Sequence, residues 1–534
     1  MEYDLAIVGG GIVGAGVARD AALRGLKVAL FEQDDFGSGT TSRSTRLIHG
    51  GLRYLSHLDF PLVHEALRER RTLLRIAPHL VRPLPFLLPV YRGEGHPVPY
   101  LWAGMVLYDF LIRDRGVPHH RLLPADHCAR LEPRLDVSRL KGGFLFYDGQ
   151  CNFPERLCLE NVLDAVEHGA DASNHTRVVG LLREGARVTG VQVRRANGDQ
   201  RNIQARLVLN CAGPWLDDVE HLADPEAPAR LRRTKGIHIV VPRFTRQAII
   251  FESRDESRVI FAIPWREYTL IGTTDTDHEG PVEDVRAEGD DVRYLLDELR
   301  RVLDVDVRPD DILFTMAGLR PLQRVLGTST AAVTRREQII DHEALDGRAG
   351  LVTVVGGKIT TYRHIAEQVV DFVQKKLGYS RATCLTAKIP LPGGRFEGAW
   401  RDFVDDLQKQ AARHDVATDV ALHLADHYGA EAFALLEAVH QRPELGKRLL
   451  PGLPWIWAEV EHAFVHEKAQ TLTDVLLRRL SIGLSRGQAR AVASDVAAFL
   501  GERIGWDSRR VASEVAAYEA HLERNWGVPP GLTP

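Results

Sequence analysis

Three glycines and one acid near the start of the chain have the types and spacing that bind a dinucleotide. An apolar run is followed by Gly9, Gly11 and Gly14, with a helical stretch beginning at Ile12. Gly9 permits a tight turn, Gly11 lets backbone approach a pyrophosphate, and Gly14 lets the helix pack against the strand. A second apolar run ends at Glu32, whose carboxylate would accept hydrogen bonds from ribose hydroxyls. This order of strand, glycines, helix, strand and acid predicts a bound dinucleotide.

Three further segments favour FAD over a nicotinamide dinucleotide. Residues 36–44 form a loop rich in hydroxyl groups, and strand-then-glycine turns occur at 207–215 and 352–358. Each turn is common by itself, but together they fit a long ligand threaded between distant parts of the chain. The FAD contacts predicted from these segments are Thr40, Thr41, Ser42, Ser44, Ala212, Gly213, Gly357, Lys358, Ile359 and Thr360.

These loops require an α/β framework. Residues 1–378 alternate short Val/Ile/Leu runs with amphipathic stretches, which predicts an FAD-binding Rossmann-like domain of the glutathione-reductase or D-amino-acid-oxidase type. A mixed-sheet substrate region is expected within it, roughly at 140–150 and 185–345. Residues 379–395, with two prolines and a glycine pair, predict a linker. Residues 396–534 predict a C-terminal all-α domain, with helices that include 400–413, 420–428, 458–479, 486–504 and 508–524.

Composition excludes several classes of protein. The 534 residues are enough for two or three domains. A net charge of −4 gives no general attraction to nucleic acid, so an anionic substrate would need a local group of cations. The five cysteines show no CxxC spacing, and we expect neither a metal site nor a disulfide framework. We therefore expect a reduced, cytoplasmic setting.

One apolar segment, residues 98–112, allows two interpretations. It is shorter than a membrane-spanning helix requires, and it carries four aromatic side chains together with Asp109. Such a segment could touch the inner face of the cell membrane peripherally. It could equally be a buried helix, which is the interpretation we favour from the sequence.

Longer motifs make the chain recognisable. They lie at 39–55 (GTTSRSTRLIHGGLRYL), 271–275 (IGTTD), 318–322 (GLRPL), 356–363 (GGKITTYR), 465–469 and 472–479. Together they resemble the FAD-dependent glycerol-3-phosphate dehydrogenases over nearly the whole chain. The resemblance implies oxidation of sn-glycerol 3-phosphate to dihydroxyacetone phosphate, with electrons passed to a membrane quinone, or to O₂ in oxidase relatives. It also implies a peripheral position on the membrane.

The resemblance assigns roles to several residues. A hydride leaves the carbinol carbon for the flavin while a base takes the hydroxyl proton. His238, in the apolar run 235–241, is the expected base, and a core histidine is the alternative. A dianionic phosphate calls for convergent cations. The expected substrate-binding residues are Arg53, Tyr54, Arg320, Arg335 and Lys358, with Arg320 and Lys358 also expected to act in catalysis.

The same motifs add expected flavin contacts and show where the chain departs from its relatives. The added contacts are Leu47, His49, Gly50, Gly51, Val178 and Gly318. Thr41, Thr45 and Arg46 stand where serine, serine and lysine are usual, which keeps the hydroxyl groups and the positive charge. After Tyr147–Asp148, where many relatives have an acidic pair, this chain has Asn152 and Phe153, a departure that bears on the identity of the substrate or the acceptor.

Two other functions remain open from the sequence. Another flavin amine or hydroxy-acid oxidase would need an arginine for a carboxylate, but not several cations for a phosphate, and the cations therefore favour the phosphorylated substrate. A non-catalytic flavoprotein could use the helical domain as an interaction module. That domain also makes a homodimer plausible.

Overall fold

Two β-sheets and a group of C-terminal helices make up the protein. The computed structural model describes residues 2–51, 59–93, 96–111, 116–254, 258–324 and 337–532. The strands within these ranges are β1 (Tyr3–Val8), β2 (Val28–Phe31), β3 (Leu47–Ile48), β4 (Val81–Tyr91), β5 (Arg121–Pro124), β6 (Leu140–Cys151), β7 (Asp171–Ser173), β8 (Thr176–Glu184), β9 (Arg187–Arg195), β10 (Gln200–Asn210), β11 (Leu231–Pro242), β12 (Ala248–Glu252), β13 (Val259–Trp265), β14 (Tyr268–Gly272), β15 (Thr276–Asp277), β16 (Phe314–Gln323), β17 (Gln338–Asp341) and β18 (Leu351–Val355).

Helices flank both sheets and dominate the C-terminal part. They are α1 (Ile12–Leu23), α2 (Phe60–Ile76), α3 (Val98–Leu111), α4 (Ala125–Leu131), α5 (Pro154–Glu167), α6 (Leu216–Ala223), α7 (Gly289–Val302), α8 (His342–Asp346), α9 (Tyr362–Leu377), α10 (Trp400–Arg413), α11 (Thr418–Tyr428), α12 (Ala432–Gln441), α13 (Trp457–Val465), α14 (Arg490–Ile504) and α15 (Ser508–Trp526). The predicted class, an α/β FAD-binding fold with mixed sheets and an all-α C-terminal part, is confirmed.

The first sheet brings three glycine turns to one edge. Its strands run in the order β17-β18-β10-β1-β2-β7, and β1, β10 and β18 are parallel. Because parallel strands end at the same edge, the turns after Val8, Asn210 and Val355 meet there. Strands β9 and β17 also belong to this sheet, so their predicted place in the substrate region is wrong. Pairing of β10 beside β1 is a long-range contact that local composition does not encode.

The second sheet places one face of β11 toward the site. Its order is β15-β11-β14-β13-β12-β4-β6-β3, with β16 on β11 and β5 on β6. Ile237, Ile239 and Val241 pack with α7 in one hydrophobic cluster. Side chains alternate along a strand, so His238 and Val240 point to the opposite face. This alternation explains why a histidine occupies an otherwise apolar strand.

The predicted continuous helix over 458–479 is wrong. Helix α13 ends at Val465, Lys468 has a left-handed φ of 57°, and a π-helical turn covers Asp474–Arg479. Two buried ion pairs favour the interruption, because it directs Glu467 to Arg156 and Arg479 to Asp35. These contacts fix the C-terminal helices to the first sheet and its helices.

Helix α3 contradicts the burial that we favoured for residues 98–112. Phe110 is 79% exposed, Tyr100 52% and Trp102 50%, whereas Met105 and Tyr108 are buried. The segment is apolar around its whole circumference, so packing one narrow side on the protein leaves the other side uncovered. Among the residues that the structure describes, no helix is long and apolar enough to cross a membrane.

Candidate active site

One cavity of about 730 Å³ is lined by residues from the glycine edge of the first sheet and from the second sheet. Its size lies within the range of small-molecule and cofactor sites. The predicted residues that line it are Gly9, Gly11, Ile12, Glu32, Thr40, Thr41, Ser44, Leu47, His49, Gly51, Val178, Ala212, Gly213, His238, Gly318, Arg320, Gly357, Lys358 and Ile359.

The other predicted residues do not line this cavity. Gly14 lies against the backbone of Gly9. Ser42 bonds to carbonyls of its own loop, Gly50 donates to Asp148, and Thr360 accepts from the His49 N–H at 3.3 Å. These residues support the wall from behind. Arg53, Tyr54 and Arg335 lie outside the described residues.

The first glycine turn has the geometry of an anion cradle. A Cβ on Gly9, where φ is 107°, would lie 2.5 Å from the carbonyl oxygen of Cys211. A Cβ on Gly14 would lie 2.0 Å from the carbonyl oxygen of Gly9. Both glycines are therefore required for the close packing of the turn against β10 and the start of α1, the arrangement that presents backbone N–H groups and a helix N-terminus to a pyrophosphate.

Glu32 directly follows β2, at the position that its predicted contact with ribose hydroxyls requires. Its Oε2 accepts from the Gly10 N–H at 2.7 Å, and its Oε1 accepts from the Asp34 N–H at 3.0 Å. Burial raises the pKa of Glu32 to about 7, although both N–H groups favour the carboxylate. The carboxylate is thus held at the cavity wall by backbone donors.

The loop 40–43 connects the two sheets. Thr41 Oγ1 accepts from the Ile12 N–H at 3.1 Å, at the start of α1. Thr40 Oγ1 donates to the Leu319 carbonyl at 2.6 Å, and Arg43 donates to that of Ala317 at 3.1 Å. The cofactor loop is therefore attached to β16, the strand that carries Arg320.

Arg320 is oriented by three residues of the turn that follows β14. Its Nη1 lies 3.1 Å from Oδ1 of Asp275, and its Nη2 donates to Thr273 Oγ1 at 2.9 Å and to the Thr274 carbonyl at 3.1 Å. These contacts fix the plane of the guanidinium at the cavity wall. A guanidinium fixed in this way presents a positive charge of defined orientation at the cavity wall, which suits the anchoring of an anion.

His238 faces the same cavity as a neutral imidazole. Its Nε2 lies 2.9 Å from Thr45 Oγ1. Burial, together with the positive charges of Arg320 and Arg46, lowers the pKa of His238 to about 3. At neutral pH the ring therefore has a lone pair available to accept a proton.

Sequence reasoning missed several cavity residues. One group is apolar and lies on the second sheet: Phe86, Phe146, Ile250 and Phe261. No local pattern marks them, because they come from four strands that meet only in the fold. Arg43 also lines the cavity, and burial with nearby Arg478 lowers its pKa to about 10. An arginine within a loop of glycines and hydroxyls is a feature that could have identified it.

Asn152 and Phe153, the departures from the relatives, lie outside the lining. The Asn152 carbonyl accepts from Arg46 at 2.8 Å and from the Trp265 indole at 3.2 Å. Phe153 packs edge-on against His427, with ring centroids 4.4 Å apart. Neither residue therefore reaches the cavity directly, and Asn152 is connected to it through Arg46, the neighbour of the lining residue Thr45.

The fold and the cavity together define an FAD-dependent oxidoreductase. The family model described as FAD dependent oxidoreductase matches residues 4–363, and the C-terminal domain of alpha-glycerophosphate oxidase matches residues 384–511. A glycerol-3-phosphate dehydrogenase from Synechocystis is 39% identical, over 98% of this chain and 97% of the relative. The chain therefore belongs to the glycerol-3-phosphate dehydrogenase family.

Solved structures agree with this assignment. The glycerol-3-phosphate dehydrogenase from Bacillus halodurans complexed with FAD has a TM-score of 0.82 and 29% identity, and covers 100% of this chain and 96% of its own. The L-alpha-glycerophosphate oxidase from Mycoplasma pneumoniae, with a TM-score of 0.54 and 15% identity over 73% of this chain and 99% of its own, shares the fold alone. FAD is the cofactor, and the glycine turn and the cavity of this chain fit it.

Proposed function

We propose that the enzyme oxidises sn-glycerol 3-phosphate to dihydroxyacetone phosphate and passes the electrons to a membrane quinone. The observation that carries this proposal is the pairing of Arg320 and His238 at one cavity wall beside the cofactor loop. A fixed guanidinium suits the phosphate, and a neutral imidazole suits the hydroxyl proton. The names of the relatives agree with this substrate.

The phosphate would be held between the two sheets. Arg320 approaches from β16 and Lys358 from the turn after β18, and both line the cavity. Two cations from different elements can enclose a dianion more specifically than one. Arg53, Tyr54 and Arg335 are proposed to complete this pocket.

The hydroxyl proton would leave toward His238. FAD, when bound, supplies the acceptor for the hydride that leaves the carbinol carbon. The imidazole accepts the proton in its neutral form, while Arg320 anchors the phosphate and fixes the distance between carbon and cofactor. Binding of a dianion beside Arg320 offsets the positive charge that disfavours protonated His238.

Anaerobic reduction of the bound flavin tests the substrate. Glycerol 3-phosphate should bleach the flavin, whereas glycine, sarcosine and 2-hydroxyglutarate should not. Replacing Arg320 with Ala should slow bleaching by at least about 100-fold with FAD retained. Arg308, an exposed partner of Asp306, provides a matched control as R308A. Bleaching by an amino or hydroxy acid instead would identify the rival oxidases.

Helix α3 supports the proposed contact with a membrane and its quinone. Its exposed aromatic residues have the composition of a membrane interface. On its buried side, the Tyr108 ring packs edge-on against Phe146, with centroids 6.5 Å apart, and Phe146 lines the cavity. One layer of side chains therefore separates the exposed helix from the apolar part of the cavity, where a quinone ring could approach.

Two measurements test the proposed electron acceptor and the proposed membrane-binding surface of α3. Wild-type protein should co-sediment with anionic vesicles, and the double variant W102S/F110S should not, while Leu122→Ser, at another exposed apolar position, serves as control. After anaerobic reduction, a quinone analogue should reoxidise the flavin much faster than O₂ does. Faster reoxidation by O₂ would instead assign an oxidase.

A further inference from the structure

We infer that Thr45 relays the substrate's hydroxyl proton to Nε2 of His238. The inference rests on the proposed oxidation of a secondary alcohol and adds a residue to it. Thr45 and His238 line the same cavity, and their hydrogen bond joins the cofactor loop to β11. The 2.9 Å distance between Oγ1 and Nε2 suits proton transfer through the hydroxyl.

The two ring nitrogens of His238 differ in what they can reach. Nδ1 is inaccessible to solvent and has no hydrogen-bond partner among the described residues. A hydroxyl group in the cavity therefore cannot approach Nδ1 without movement of the wall. Nε2 is left as the accepting nitrogen, and its partner is the Thr45 hydroxyl. A proton that enters the imidazole from the cavity has this hydroxyl in its path.

Thr45 is fixed from behind by its neighbour Arg46. Arg46 has a left-handed φ of 60°, a conformation that a residue with a side chain adopts only when its surroundings enforce it. Its guanidinium is buried against Glu155 at 2.8 Å and stacks 4.4 Å from the centre of the Trp265 ring. It also donates to the Asn152 carbonyl. Thr45, Arg46 and Asn152, which differ from the residues usual in the family, are thus connected to one another. Together they orient the Thr45 hydroxyl.

The proposed proton transfer needs no reactant beyond the substrate, Thr45, His238 and the cofactor. The substrate hydroxyl loses its proton to Thr45 Oγ1 as the proton of Thr45 passes to Nε2, so threonine is unchanged. The hydride that leaves the carbinol carbon would be accepted by FAD when it is bound, and the C–O bond becomes a carbonyl. His238 ends as the imidazolium, beside the charges of Arg320 and Arg46 with their partners Asp275 and Glu155.

Flavin reduction in single-turnover experiments tests the relay. Thr45→Val keeps the shape and removes the hydroxyl, and should slow anaerobic flavin reduction by about 100-fold or more at saturating glycerol 3-phosphate. Thr45→Ser keeps the hydroxyl and should stay within about 5-fold of wild type, with the wild-type pH profile and solvent isotope effect. Thr245→Val, at a buried threonine outside the cavity lining, is the matched control.

Binding measurements separate a relay from a structural role. FAD content and the affinity for 3-hydroxypropyl phosphate, which lacks the reacting hydroxyl, should be the same in wild type and Thr45→Val. Wild-type reduction rates in Thr45→Val, or equal losses in Thr45→Ser and Thr45→Val, would overturn the relay. If Thr45→Val loses FAD, the flavin-reduction rate and the solvent isotope effect of Thr45→Ser still test the relay, because a relay requires both to match wild type. Failure of the wild-type enzyme to react with glycerol 3-phosphate would instead refute the proposed function.

Discussion

Gly236 of β11 lies directly beneath the guanidinium of Arg320 on β16. A Cβ at residue 236 would be 2.3 Å from Nη2 of Arg320 and 2.7 Å from its Cζ. The strands pair antiparallel with Gly236 opposite Gly318, so the arginine can cross its neighbour only where the side chain is absent. This glycine therefore determines where the proposed phosphate-binding cation lies.

Replacing Gly236 with Ala should weaken substrate binding more than it changes the folded state. The methyl group would push the guanidinium away from Thr273 and Asp275, and we expect the concentration of glycerol 3-phosphate for half-maximal flavin reduction to rise about 10-fold. Gly104→Ala is the matched control, because a Cβ there meets nothing within 4 Å. An unchanged half-maximal concentration in Gly236→Ala would remove Arg320 from the phosphate site.

A second glycine substitution tests the cofactor turn. A Cβ at residue 14 would collide with the Gly9 carbonyl oxygen, so Gly14→Ala must separate α1 from the turn that would hold the pyrophosphate. We expect the purified variant to contain less than about a tenth of the wild-type flavin, a loss worth about 1.4 kcal/mol or more. Flavin absorbance per chain measures this, with Gly104→Ala again as the reference. Full FAD content would contradict the assignment of the cradle.

The cofactor turn could be predicted because its requirements are local. Strand, glycines, helix start and Glu32 follow one another within the first part of the chain, and each has its own pattern. The apolar part of the cavity could not be predicted, since Phe86, Phe146 and Phe261 come from three strands that meet only through long-range pairing.

Two errors in the helices have the same origin. The interruption after Val465 depends on ion pairs from Glu467 and Arg479 to residues far away in the sequence. The exposure of α3 depends on how little of the protein lies beside it, which its own composition cannot reveal. Periodicity predicts the tendency to form a helix, whereas tertiary contacts determine where the helix ends and which side is covered.

Acidification should destabilise the protein partly through His238. Burial and two nearby arginines lower its folded pKa to about 3, whereas an unfolded histidine titrates near about 6.5. Between these values the unfolded state binds a proton that the folded state does not, so stability falls as pH falls. His238→Asn should reduce the slope of unfolding free energy against pH by up to about 1.4 kcal/mol per unit. Urea unfolding at several pH values measures it, and equal slopes in both proteins would contradict the neutral, buried imidazole.

One buried carboxylate, that of Asp35, contributes to the attachment of the C-terminal helices. Asp35, which is 0% exposed, accepts from Arg479 at 2.6 and 2.8 Å and from Arg478 at 2.6 Å. Burial alone would raise the pKa of Asp35, yet the two guanidinium groups hold it below its ordinary value. Asp35→Ala leaves two cations without this partner in the interior, so we expect a loss of roughly 3–5 kcal/mol in unfolding free energy.

The exposed pair of Asp306 and Arg308 provides the comparison for Asp35. Both side chains are mostly in solvent, so Asp306→Ala should change the unfolding free energy by less than about 1 kcal/mol. Denaturant unfolding followed by tryptophan fluorescence compares the two variants directly. Because Asp35 lies three residues after Glu32, its loss should also loosen the cofactor edge of the first sheet, and FAD release should accelerate. Equal stability of Asp35→Ala and Asp306→Ala would show that the ion pairs of Asp35 contribute nothing to holding the helices.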